Sequence, residues 1–141
     1  MEKGCGLWIN ILSHKIKKRM NANMQELGIT GVQGRIMHYI LVKCAEGPVF
    51  QRDVESAFDL SRSTATGILQ LMEKSGLILR ECMDSDARLK NLIPTKKAAC
   101  LDAKINEYLH QTEKCLTNGL SGAQISLFLE TAALMSANLD G

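Results

Sequence analysis

The sequence predicts a mainly α-helical chain of six helices with one small β-hairpin, an α+β fold. Three observations carry this expectation. Apolar residues recur at helical spacing along most of the 141 residues. The period changes once, between Leu77 and Ile93, to that of paired strands. Helix starts and stops are written as capping boxes and glycines. Composition agrees: 45% hydrophobic residues, 23% charged and only two prolines describe one well-folded domain with a real core.

The first helix is marked from about Leu7 to Met24 by Leu7, Ile11, Leu12, Ile16 and Met20, with Trp8 beside them and Gly28 ending the region. Thr30-Gly-Val-Gln33 is a capping box that opens the second. Its inward side reads Val32, Ile36, Met37, Ile40, Leu41 and Cys44, and Glu46-Gly47-Pro48 stops it. A short third helix, Gln51 to Phe58, places Val54, Ala57 and Phe58 inward, and Asp59-Leu60 connects tightly to the fourth.

The fourth helix, Ser61 to Gly76, is the one the chain is organised around. Ala65, Ile68, Leu69 and Met72 form its apolar stripe, while Ser63, Thr66, Gly67, Gln70 and Lys74 share the opposite side. That polar side has no carboxylate, so it offers hydroxyls and an amide to phosphates or base edges without repelling them. Ser61 is placed as N-cap and Gly76 as the αL residue after the last turn. Any surface helix has two such faces, so the neighbours decide. Two short helices joined by a tight turn make a helix-turn-helix pattern. Leu77 to Cys82 and Leu89 to Ile93 read as strands around a turn-rich tip, Met83 to Arg88. This hairpin carries Arg80, Arg88 and Lys90, as a DNA-binding wing would; a merely stabilising hairpin with solvated arginines is the alternative.

Pro94 prevents strand continuation and Thr95 caps the fifth helix, about Lys96 to Thr117, with Ala99, Ile105, Leu109, Thr112 and Leu116 as its stripe. Ser121-Gly-Ala-Gln124 is a second capping box and opens a sixth helix running to Leu139. That helix is apolar around much of its circumference and is expected, with the first, to need a partner chain.

Charge is unevenly spread. The net charge is +2, but residues 1–98 carry +5 and residues 99–141 carry −3, which directs an anionic partner to the first part. Five cysteines without a C-x-x-C pair argue against a secreted disulfide framework. Leu7–Leu12 is too short for a secretory h-region, and no apolar run approaches the roughly 20 residues of a membrane helix. The expectation is a cytoplasmic protein without membrane association. No nucleophile–base pairing, phosphate loop or strong metal motif occurs, so neither an enzyme nor a cofactor is expected.

These residues resemble the MarR family of winged helix-turn-helix transcription regulators. The likeness covers nearly the whole chain. Its specific parts are Ser63-Thr-Ala-Thr66, the run Leu71-Met-Glu-Lys-Ser-Gly-Leu-Ile-Leu-Arg80, and Asp86-Ala-Arg88 at the hairpin tip. Pro94-Thr-Lys-Lys-Ala98 stands where the family has Leu-Thr-x-x-Gly. The resemblance implies one MarR-like domain over residues 1–141. In it, residues of about 1–28 and 96–141 would form dimerisation helices, and about 30–95 a winged DNA-binding lobe. It further implies a homodimer on a pseudo-palindromic operator in double-stranded DNA. Ser63, Thr66 and Gln70 would face the major groove, and Ser61, Arg62 and Thr64 the phosphates. Arg88, oriented by Asp86, would reach the minor groove, with Lys90 on the same wing. Gly67 departs from the Arg of many relatives, which removes a cation and permits close approach to the bases.

The same resemblance implies a regulator, most simply a repressor, released by a small-molecule or stress signal. A cleft lined from the first, second and fifth helices offers His14, Met20, His38 and Tyr108. Alternatives are a thiol-redox regulator using Cys5, a zinc-responsive one using His38, Glu107 and His110, or a winged helix that holds a protein partner. Nothing near Cys5 except Lys3 supports a reactive thiol, and the zinc trio is scattered in sequence.

Overall fold

The computed structural model describes residues 2–83 and 86–141, with residues 86–88 described by their backbone alone. The elements are α1 (Cys5–Leu27), α2 (Gly31–Lys43), α3 (Gln51–Phe58), α4 (Arg62–Lys74), β1 (Ile78–Met83), β2 (Asp86–Pro94), α5 (Lys96–Leu116) and α6 (Gly122–Asp140). Every expected helix and the hairpin are present, in the expected order. The chain forms two compact units, Met1–Tyr108 and Leu109–Gly141.

In the first unit the local signals work as the chemistry requires. Gly28 ends α1 in the left-handed region at φ 73°, where its N–H donates to Gln25 O. The α2 capping box closes both ways, Gln33 N to Thr30 Oγ1 at 3.1 Å and Thr30 N to Gln33 Oε1 at 3.2 Å. The core takes Ile36, Met37 and Ile40 from α2, Val54 from α3, Ala65, Leu69 and Met72 from α4, and Leu77, Ile78 and Leu92 from the hairpin region. Ala98 and Ile105 complete it from α5. At Gly34 a Cβ would come 3.4 Å from Ile105 Cδ1 and 3.5 Å from Met24 Sδ, so a glycine lets α1, α2 and α5 close on one another.

β1 and β2 pair antiparallel from Ile78↔Pro94 to Cys82↔Lys90, then shift at a bulge to Met83↔Asp86. The hairpin is also tied backward. Leu92 N donates to Val49 O at 2.8 Å, and Asn91 Oδ1 accepts from Val49 N at 3.1 Å.

Four expectations need correction. Ala57 is exposed, because Val54 and the edge-to-face pair Tyr39–Phe58 already fill that side of α3. Cys44 is exposed past the end of α2 and donates its Sγ–H to Leu41 O. The inward face of α5 begins at Ala98, Leu101 and Ile105; Ala99 is exposed and Leu109 is 47% exposed. The strands extend further than expected, so residues 86–88 belong to β2 rather than to an irregular tip.

In the second unit, Ser121 opens α6 with the expected capping box, Gln124 N to Ser121 Oγ at 3.1 Å and Ser121 N to Gln124 Oε1 at 2.9 Å. α6 has no buried residue, and Leu127, Phe128, Leu129 and Leu134 are each about 60% exposed. No described helix is long and apolar enough to cross a membrane.

Candidate nucleic-acid interface

α4 presents the expected two faces. Ala65, Leu69 and Met72 are fully buried, which holds the helix to the core; Ser63, Thr64, Gly67, Gln70 and Lys74 are exposed. Ser61 caps it, accepting from Thr64 N at 3.2 Å and donating to Thr64 Oγ1 at 2.9 Å. Arg62 is exposed in the first turn.

Thr66 has a different environment from its neighbours. Its hydroxyl donates to Arg62 O at 2.8 Å and accepts from Gln51 Nε2 at 2.9 Å. It is half-buried, and its first partners are the protein's own. Gln51 thereby bolts α3 to the start of α4, a role no spacing in the sequence announced. Leu71, which the sequence marks only as part of the family-like run, is 56% exposed, one turn after Gly67 on the solvent side. Around Gly67 a Cβ would meet nothing within 4 Å.

The far end of α4 is clamped. Lys97 Nζ donates to Ser75 O at 2.7 Å, and Thr95 Oγ1 donates to Gly76 O at 2.6 Å. Thr95 Oγ1 also accepts from Ala98 N, the expected cap of α5. One threonine therefore joins the end of α4, the start of β1 and the start of α5. Gly76 adopts φ 78°, the left-handed exit that this junction requires.

On the hairpin, Lys90 is exposed and faces Cys82 across the strands. The side chains of Asp86 and Arg88 lie outside the described residues. Arg80 is only 17% exposed at its side chain, and neither Nε nor Nη2 has a hydrogen-bond partner among the described residues. Among the described residues its nearest carboxylate oxygen, Glu73 Oε2, is 4.0 Å from Nε.

The residues named for effector binding are dispersed. His14 is exposed and lines a cavity of about 860 Å³ with Lys17, Lys18, Asn21, Met24 and Thr30. Met20 packs against the core instead. His38 donates from Nδ1 to Asp102 at 3.0 Å, linking α2 to α5. Tyr108 donates its hydroxyl to Glu26 Oε2 at 3.2 Å, and this bond, partial burial and the negative charge of Glu26 and Glu107 raise its pKa above the ordinary tyrosine value.

Among the described residues no group of three His, Cys, Asp or Glu side chains is arranged to hold a metal. His38 is committed to Asp102, and Glu107 and His110 are exposed on α5. Cys5 is exposed at the first residue of α1, and the ammonium of Lys3 lies 4.9 Å over the Trp8 ring. All five cysteines are exposed, and none of them is in a disulfide.

No protein-family model matches the chain. Solved structures do. A G34K mutant of MepR from S. aureus is 20% identical, covers 97% of this chain and 99% of its own, and has a TM-score of 0.88. The MepR–DNA complex from the same organism is 22% identical over 92% of this chain and 96% of its own, at a TM-score of 0.77. The transcription regulator MarR from Oenococcus oeni PSU-1 is 32% identical, covers 98% of this chain and 100% of its own, and has a TM-score of 0.64.

Proposed function

Because the chain belongs to the MarR family of transcription regulators, we propose that it binds duplex DNA as a homodimer and represses transcription until an effector releases it. The observation that carries the reading is α4 itself. It is capped at Ser61, clamped at Ser75 and Gly76, and exposes hydroxyls and an amide with no carboxylate between Ser63 and Gln70. A helix held at both ends has a defined reach into a major groove, and its short polar side chains are suited to base edges.

The dimer is supported by apolar surface. Leu7, Trp8 and Ile9 of α1 are each about half exposed, and α6 buries none of its many apolar side chains within the chain. Such faces in water favour a second copy. Two copies would place two α4 helices in successive major grooves, about one turn or 34–36 Å apart. The α1–α2 cavity beside His14, Lys17 and Lys18 is the place for an organic effector, and its occupancy would bias the lobes away from that spacing.

The test is a titration of the intact chain onto an enriched duplex while the mass of the complex is followed. Two chains per duplex are expected. One chain per duplex, or no binding to any duplex, rejects the proposal.

A further inference from the structure

Leu71 is the large apolar side chain that α3 and α4 leave mostly in water, at 56% exposure. The other large apolar residues of the pair, Val54, Phe58, Ile68, Leu69 and Met72, are buried or half-buried. A lone exposed leucine on a protein surface needs no explanation. Its place on this helix does. Ser63, Gly67 and Leu71 follow one another at intervals of four residues, so they form a single ridge, with Gln70 and Lys74 in the next row. All five are exposed, on the side turned away from buried Ala65, Leu69 and Met72. The ridge is uncharged. Arg52, Arg62, Arg80 and Lys90 converge instead on a groove of about 460 Å³ that takes in Thr66, on another flank of α4.

Gly67 makes a notch in this ridge. A leucine on a helix leans back over the preceding turn, which here is the turn of Gly67. Yet no side chain, that of Leu71 included, comes within 4 Å of the point where a Cβ on Gly67 would stand. Carbon atoms in van der Waals contact lie about 3.5–4.0 Å apart, so the notch has room for one methyl-sized group beside an apolar wall. In a major groove, the hydroxyls of α4 and the Gln70 amide find hydrogen-bonding partners on base edges. A leucine finds none. The one apolar group that base edges offer there is the C5-methyl of thymine.

We infer that Gly67 and Leu71 form an apolar notch that receives the C5-methyl of one thymine in each half-site, with Leu71 as a specificity-determining residue. The inference rests on the DNA-binding reading above and names a base that this part of α4 selects. Cytosine in the same place presents its N4 amine and no methyl, and the leucine supplies no acceptor to offset desolvation of that amine. Gln70, in the adjoining row, can pair with adenine. A small gap and an isobutyl group thus read shape at the centre of a helix that lacks a cation there.

The experiment is an anisotropy titration of the full-length chain on a duplex enriched from a random pool, with each thymine replaced in turn by deoxyuridine, which lacks only the methyl. Wild type is expected to lose about fourfold in affinity at one thymine per half-site, the factor for one methyl returned to water. Leu71→Ala should bind the parent duplex about fivefold more weakly and show no further loss at that deoxyuridine. In a fresh selection it should lose its preference at that base pair alone. Leu71→Met, of similar volume, should keep most of the wild-type discrimination. The slope of log K against log [salt] should stay that of wild type in both variants, because an apolar contact releases no counterions. Leu71 is exposed, so urea unfolding of Leu71→Ala should match wild type; the deoxyuridine arm on wild type decides the matter even if that variant unfolds. A wild type indifferent to every deoxyuridine overturns the notch. So does a Leu71→Ala that still loses fourfold at the same position, which would put the methyl against another residue. Weaker self-association of Leu71→Ala without DNA, with base preference intact, would give the leucine to a second copy of the chain and overturn it too. Failure of wild type to bind any duplex would remove the underlying reading as well.

Discussion

Replacing Gly67 by alanine separates what the centre of α4 does for stability from what it does for binding. Glycine inside a helix is about 0.8–1.0 kcal/mol less favourable than alanine, chiefly through backbone entropy. That difference is normally offset by whatever the new methyl displaces. At Gly67 it displaces nothing, because no heavy atom lies within 4 Å of the added Cβ and the residue sits exposed in mid-helix. Gly67→Ala should therefore stabilise the protein by about 0.5–1 kcal/mol, a rise of roughly 2–3 °C in Tm for a chain of this size. Thermal and urea unfolding read this directly. If the missing side chain exists so that the backbone can approach the bases, the same methyl should weaken operator binding about tenfold, roughly 1.4 kcal/mol. Stability and affinity then move in opposite directions. Higher stability with unchanged affinity would refute the close-approach argument, and lower stability would refute the helical environment assigned to Gly67.

The junction at Thr95 should matter at a distance from any base. Thr95→Val keeps the shape but removes the hydroxyl that bonds Gly76 O and Ala98 N, so a loss of about 1–2 kcal/mol is expected in urea unfolding; an unchanged midpoint would show that the clamp is idle. Arg88→Ala should weaken operator binding and flatten its salt dependence, measured by titration at several salt concentrations, and equal slopes would remove the wing from the interface. Tyr108 should ionise above the ordinary tyrosine range in an ultraviolet titration, and Glu26→Gln should move it back down. Since the folded-state value is raised, the stabilisation is complete below the unfolded tyrosine pKa and is lost as pH rises through the folded one. An unaltered titration in the variant would contradict the Glu26 bond.

What could be read in advance was whatever is local. The Thr30–Gln33 and Ser121–Gln124 boxes and the left-handed exits at Gly28 and Gly76 all formed where their residue types placed them. These are interactions over three or four residues, and spacing encodes them completely. The phase of α5 was harder. Alanines and leucines stand on several of its faces, so periodicity admits more than one stripe, and packing against α1 and α2 at Gly34 and Ile105 selected the one through Ala98 and Leu101. Ala57 was misplaced for a related reason: a small residue is neutral to burial, and the aromatic pair beside it had already filled the space. The polar face of α4 was legible, but the partners of its side chains were not. Gln51 reaches Thr66 from another helix, and Arg52, Arg62, Arg80 and Lys90 converge from positions up to 38 residues apart in the chain. Only the packed fold brings them together.

The central claim is that two copies of α4, held at a fixed separation, read one duplex. Selection of bound molecules from a random duplex pool by the intact chain tests it most directly. The account predicts enrichment of an inverted repeat whose half-sites are about 10–10.5 base pairs apart, centre to centre. Enrichment of a lone half-site, of repeats at variable spacing, or of nothing above the starting pool would contradict it.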